Sequence, residues 1–399
     1  MISNMKESGR VYLDYAAATP LSEAAFLAME PYLRSSFGNP SAVHAEGVTA
    51  RSAVENARTE VATAIQVRPE YVTFTGGGTE GNNLAIFGLV ESLKRQGRDY
   101  SEMEVITTKI EHPSVLVAFE RLKGMGVGVK YAAVNEYGKV QLPELKALLS
   151  EKTVLFSVAY ANSEIGTVQS LHAIKKVLKQ SEEQFSSEIY FHVDAAQAPL
   201  WLSCQFDTVG ADLLVLDFAK CNGPKGTGAL VRSRRVPITA TVYGGGQESG
   251  LRPGTENVAG FVGAAVAFAA AQSDWRERSD TVSVVRDQGI RLLQTEIPEL
   301  FLNGAQGEDR LANNINISVP GLDTEFTAVV LDSKGFAVST KSACAGAGGG
   351  ASIVVKVTTG DSKRALSTLR FSLAPDTTVE NLTQLTQILK QHRQKMSAF

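Results

Sequence analysis

The chain has 399 residues, 44% hydrophobic and 20% charged, an ordinary globular balance with enough core for one large domain and a smaller one. A net charge of −3 gives no basis for nucleic acid or an anionic membrane as the main partner. The longest apolar stretch (259–271) is too short to span a bilayer, MISNMKESGR lacks a secretory core, and three cysteines (Cys204, Cys221, Cys344) without metal spacing suit a reducing cytoplasm.

In chain order, a strand is expected at 71–75, a glycine turn, and a helix over 82–94. Strand 153–160 and helix 171–180 follow, then strands at 189–194, 211–218 and 227–232. Near-continuous apolar strands alternating with helices predict a mostly parallel sheet covered on both faces. The pattern changes after an Ala-rich helix near 260–271. A helix over 279–296, a strand at 313–319 and a helix over 324–335 come next. Strands at 336–340 and 367–373 precede a closing helix that Thr378 would cap. This order predicts a small α+β domain, with a boundary near 265.

Chemistry concentrates at strand ends, where open α/β sheets place ligands. The turn at Gly76, Gly77 and Gly78, followed by Thr79, allows close approach of an anion to unpaired helix N–H groups, although a plain tight turn has the same composition. It contains neither GxGxxG nor GK[ST]. Asp194, in FHVDAAQA with Gln197 three residues on, can hold a pyridine nitrogen protonated; alone it also reads as a turn residue. Lys220 can form a Schiff base or stand solvated, and His112 can stack on a flat ring or simply satisfy a loop. Cys344 sits in STKSACAGAGGGAS, a small-residue setting that suits an exposed, movable thiol.

With YLDYAAATP, FGNPSAVH, FTGGGTEGNNLAI, EHPSV, NSEIGTVQ, HVDAAQA, GPKGTGAL, GGGQESGLRPGTEN, STKSACAG and STLRFSL in this order, the chain resembles the cysteine desulfurases of the NifS/IscS type. These belong to the class V, fold type I enzymes of pyridoxal 5′-phosphate (PLP). The resemblance implies an α/β fold with a mostly parallel seven-stranded sheet in a large PLP-binding domain (20–265). Residues 1–19 and 266–399 would form the small α+β domain that carries the cysteine loop.

It further implies that Lys220 carries PLP as a Schiff base, that Asp194 partners the pyridinium, and that His112 stacks on the ring and serves catalysis. Gly78 and Thr79 would bind the phosphate, and Thr255 would complete the phosphate site of the neighbouring subunit, which implies a homodimer. Gln197 and Ser163 would lie near the phenolic oxygen. Asn162 and Arg370 would bind the substrate, Arg370 through its guanidinium fork. Cys344 would attack the sulfur of L-cysteine, leaving alanine and a persulfide for an acceptor protein of Fe–S assembly or tRNA thiolation. Lys341 or an imidazolium at His112 would support its thiolate.

Four positions depart from the family pattern, one of them Lys341, where glycine is common before the cysteine. Asp217 and Ala219 stand where a serine and a histidine are usual before the lysine, and Ser163 replaces an asparagine. An ionised Asp217 would repel a phosphate. Selenocysteine lyase, an aminotransferase, or a non-catalytic dimeric scaffold are the alternative readings.

Overall fold

The computed structural model describes residues 9–340 and 350–396. The strands, in chain order, are β1 (Val11–Tyr12), β2 (Val72–Thr75), β3 (Glu104–Thr108), β4 (Gly128–Ala132), β5 (Thr153–Ala159) and β6 (Tyr190–Asp194). They continue as β7 (Leu213–Asp217), β8 (Gly228–Arg232), β9 (Phe301–Leu302), β10 (Asn314–Ser318), β11 (Phe336–Ala337) and β12 (Thr368–Ser372).

Seven of them form one sheet in the order β2-β8-β7-β6-β5-β3-β4. β8 runs antiparallel to both β2 and β7, and the other pairs are parallel. The period of two is plain on β7. Leu213 and Val215 face a core shared with helices Gly78–Arg95 and Pro113–Gly124, while Leu214 and Leu216 face the opposite core. Both faces are therefore dry, as a parallel sheet requires.

β12, β10 and β9 form a separate antiparallel sheet, and β1 pairs in parallel with β11. Helix Val258–Ser273 packs on helices Glu23–Arg34 and Ala45–Ala64, whereas the next helix, Trp275–Glu296, packs on Val379–Met396. One apolar core nevertheless runs from Phe74 and Phe218 under the large sheet to Ile315, Phe371 and Leu385. Asn381 N–H donates to Thr378 Oγ1 at 3.2 Å, so Thr378 does cap the last helix.

Several expectations need revision. The helix expected from 82 starts at Gly78, because the glycine turn itself supplies its first residue. The strand expected over 336–340 narrows to β11; beyond it Ser339 only bridges to Arg370. β3, β4 and helices Glu23–Arg34, Ala45–Ala64 and Pro113–Gly124 were not anticipated. Among the described residues no helix is long and apolar enough to cross a membrane.

Candidate active site

The carboxyl ends of β2, β3, β5, β6 and β7 converge on a cleft of about 220 Å³. Gly78, Thr79, His112, Asn162, Ser163, Asp194, Gln197 and Lys220 all line it, together with Asp217. A larger cavity of about 700 Å³, bounded by residues from 9–26 and 374–381, has no such set of groups.

Asp194 ends β6 and is buried. Its Oδ1 accepts from Ala196 N–H at 3.0 Å and its Oδ2 from Asn82 Nδ2 at 2.8 Å. Asn82 lies one turn into the helix that opens at Gly78, and its second Nδ2 hydrogen goes to Ser114 Oγ at 2.8 Å. Ser114 N–H donates to His112 Nδ1 at 3.1 Å, and the hydroxyl lies 2.8 Å from the same nitrogen. Nδ1 is therefore an acceptor, which puts the proton of the neutral ring on Nε2. Burial pulls His112 below its ordinary value, with Lys220 adding to the effect and Asp194 and Asp217 opposing it. The neutral ring is thus favoured, and the imidazolium expected to support a thiolate is not.

Glu111, next to His112 in the chain, is buried. Its Oε2 accepts from Ala159 N–H at 2.7 Å and its Oε1 from Thr108 Oγ1 at 2.5 Å. Burial pushes its carboxyl up to about 7, and Asp194 adds to the rise. His192, two residues before Asp194, has Nδ1 2.8 Å from Ser157 Oγ and Nε2 without a partner among the described residues. Burial pulls it down to about 4.

Lys220 closes a short 3-10 turn, Phe218–Lys220, that follows β7 directly. The turn is pinned from two sides. Phe218 is buried edge-on to Phe74 and Phe268, and Thr19 donates to Ala219 O through both N–H (3.1 Å) and Oγ1 (3.0 Å). Gln197 Nε2 donates to Ala16 O at 2.9 Å, so the segment before Thr19 also braces the cleft.

Other expected residues sit differently. Asn162 uses Oδ1 for Glu164 N–H (2.9 Å) and Ile165 N–H (3.0 Å), and Nδ2 for Ile110 O (2.8 Å). Its amide shapes the turn. Arg370 is buried behind the cleft, donating to Ser163 O at 2.9 Å and to Asp14 Oδ1 at 2.7 Å. Thr255 is exposed on the loop before helix Val258–Ser273, away from the cleft of its own chain. Cys344 and Lys341 lie outside the described residues. Cys204 and Cys221 are buried, and burial raises both thiols, which suits packing and not reaction.

Sequence reasoning missed Asn82, Glu111, Ser114, His192 and Asp14. All sit inside quoted motifs, but only contacts between distant segments give them roles. The cleft combines an amine, a carboxylate and a helix N-terminus, the groups that hold a pyridine aldehyde phosphate. Asn82 Oδ1, buried on its wall, has no partner among the described residues. A free acceptor beside Asp194 suits a ligand that brings a donor, as a protonated pyridine nitrogen does. The residues fit PLP.

The comparisons with known proteins agree. A cysteine desulfurase IscS of Dictyoglomus turgidum is 37% identical over 386 residues, covering 97% of this chain and 95% of the relative. A solved NifS-like protein superposes with a TM-score of 0.88 at 30% identity, over 96% of this chain and 99% of the other. A solved SspA in complex with cysteine gives a TM-score of 0.76 at 30% identity, over 92% and 99%. The family described as aminotransferase class-V matches residues 11–385. The chain therefore belongs to the class V aminotransferase family of PLP enzymes, among relatives that are cysteine desulfurases.

Proposed function

We propose that the protein is a PLP-dependent cysteine desulfurase, converting L-cysteine to L-alanine and forming a persulfide on Cys344. The observation that carries the reading is the meeting of Lys220, Asp194, His112 and the Gly78–Thr79 helix start on one cleft, in a chain that aligns end to end with cysteine desulfurases. Bound PLP supplies an electron sink that makes the Cα–H and Cβ–S bonds of an amino acid labile.

The chain's own residues then have distinct tasks. Lys220 holds the cofactor covalently and, once released, moves the proton at Cα. Asp194, fixed by Asn82 and the Ala196 N–H, keeps the pyridine nitrogen protonated. The neutral His112 presents a flat ring to the cofactor. Gln197 and Ser163 border the same cleft and serve its phenolic side. Asn162 positions the Ser163 turn, whose carbonyl in turn holds Arg370 for the substrate carboxylate. As the Cys344 thiolate forms an S–S bond with the substrate sulfur, the Cβ–S bond breaks and its electron pair returns to Cβ. Protonation there leads to alanine, and the sulfur stays on the protein for an Fe–S scaffold or tRNA-thiolation protein. The exposed Thr255 loop supports a homodimer in which each subunit completes its partner's phosphate site. A cytoplasmic place without direct nucleic-acid or membrane contact accords with the charge of −3.

The test is to incubate purified protein with PLP and L-cysteine and to measure alanine, persulfide and the visible spectrum. Native protein should absorb in the violet to blue, bleach with borohydride and form both products. Cys344→Ala should keep the colour and lose the persulfide, and Lys220→Ala should lose both. Native protein that stays colourless with added PLP would sink the reading.

A further inference from the structure

The turn before helix Gly78–Arg95 provides no side-chain cap of its own, since Gly77 occupies the N-cap position at φ 138°. The role is taken from across the sheet. Asp217, at the end of β7, has Oδ2 3.4 Å from Gly78 N and Oδ1 3.1 Å from Ala219 N. One carboxylate thus serves the start of the long helix and the start of the lysine turn together. A Cβ built on Gly78 would stand 3.3 Å from that Oδ2, so the approach is close.

The same N–H group and the same positive helix end are what a phosphate would use. Charge around the turn is already negative. Among the described residues lining the cleft, Asp194 and Asp217 face the single cation Lys220. Arg252 reaches this turn but is paired with Glu80 at 3.0 Å. The other Glu80 oxygen accepts from Gly76 N–H at 2.7 Å. The buried Asn82 Oδ1 on the cleft wall, without a partner among the described residues, points to a ligand in the same cleft, at its pyridine end beside Asp194.

We infer that Asp217 is an internal anion that competes with the cofactor's phosphate for the N-terminus of helix Gly78–Arg95, so that PLP is held loosely and exchanges. The carboxylate stands at the helix N–H group that a phosphate would take, and must be displaced, or endured as a like charge, when phosphate arrives. The inference deepens the proposed function and rests on Lys220 being the cofactor lysine.

The experiment titrates cofactor-free protein with PLP, and separately with pyridoxal, which has the aldehyde but no phosphate. Native protein is compared with Asp217→Ser and Asp217→Asn, the latter keeping a cap through its side-chain oxygen should the serine variant fold poorly. We expect either variant to bind PLP about tenfold or more tightly, with pyridoxal affinity little changed. Inorganic phosphate alone should raise the melting temperature of the variants more than that of native protein. PLP affinity that is unchanged or weaker in both variants would overturn the inference, as would equal tightening for pyridoxal. Failure of the lysine assignment looks different: Lys220→Ala would then keep the native absorbance with PLP, whatever stands at residue 217.

Discussion

Asp14 Oδ1 accepts a hydrogen bond from Arg370 Nη2 at 2.7 Å, across 356 positions of sequence. The Arg370 side chain is 2% exposed and that of Asp14 21%. Among the described residues the guanidinium's other partner is the Ser163 carbonyl, and Nε has none. The pair ties β12, which carries Arg370, to the N-terminal segment that braces Lys220. Asp14→Ala leaves a buried positive charge with one neutral acceptor. We expect a loss of about 2–4 kcal/mol, at the lower side of a fully buried pair because water reaches Asp14. Urea unfolding measures it. A midpoint within error of native protein would mean that the pair contributes nothing. Arg370→Lys should lose stability as well, because a single ammonium cannot reach both acceptors as the planar fork does.

Two buried groups near Asp194 give opposite dependences on pH. Glu111 has its carboxyl raised from 4.5 to about 7 by burial, so the folded protein binds that proton more tightly than the unfolded chain. Its contribution is fully present below pH 4.5 and is lost as pH rises towards 7. His192 is lowered from 6.5 to about 4 by burial, so its contribution is present above pH 6.5 and is lost as pH falls towards 4. Each displacement corresponds to about 3 kcal/mol. Between these limits the two slopes oppose each other and nearly cancel. Relative to native protein, Glu111→Gln should therefore lose stability as pH is lowered from 6.5 to 4.5, and His192→Gln should gain it. Urea midpoints across that window decide the matter; parallel curves for native and both variants would refute it.

What could be read from the chain follows from how local each signal is. The strand ends at Asp194 and near Lys220 were legible because apolar runs stop at polar residues there, and the glycine turn marked its own position. Asp217 stood out by its charge, but its partner Gly78 is 139 positions away. Asn82, 112 positions before Asp194, had no local mark at all. Helix Ala45–Ala64 escaped because its buried face is built mainly from small residues such as Ala50, Ala53 and Ala57, which give a weak apolar stripe. β4 escaped because it is a half-buried edge strand. β3, EVITT, buries two threonines that read as polar.

Gly228, the first residue of β8, holds the glycine turn in place by having no side chain. A Cβ there would lie 2.7 Å from both Gly77 Cα and Leu216 O, and backbone atoms cannot swing aside. Gly228→Ala must push the turn away from β7. The expected cost is about 1–3 kcal/mol, with weaker PLP binding, because the Gly78 N–H moves with the turn. Gly124→Ala is the control. Its Cβ meets nothing within 4 Å at the end of a helix, so stability should be unchanged or raised by up to about 1 kcal/mol. Thermal unfolding and PLP titration of the two variants make the comparison, and equal behaviour would contradict it.

Arg58 and Glu248 form a bidentate pair, with both Nη–Oε distances at 2.7 Å and side chains only 10% and 1% exposed. Glu248 also accepts from Phe74 N–H at 2.8 Å, and Arg58 donates to Val72 O at 2.9 Å, so β2 is clasped between them. The pair holds a loop under backbone strain. Glu248 at φ 50° and Ser249 at φ 56° are consecutive non-glycine residues in the left-handed region. Their effects can be separated. Glu248→Gln keeps shape and one acceptor but leaves Arg58 short of a counter-charge, with only the half-exposed Glu55 remaining; we expect a loss of about 3 kcal/mol or more. Ser249→Gly removes a steric penalty and should raise stability by about 1 kcal/mol. The same loop leads to Thr255. Loosening it in Glu248→Gln should therefore weaken PLP binding beyond what stability alone predicts, if Thr255 serves the partner subunit. PLP titration at a temperature where both proteins are fully folded isolates that effect, and unchanged affinity there would detach the loop from the cofactor site.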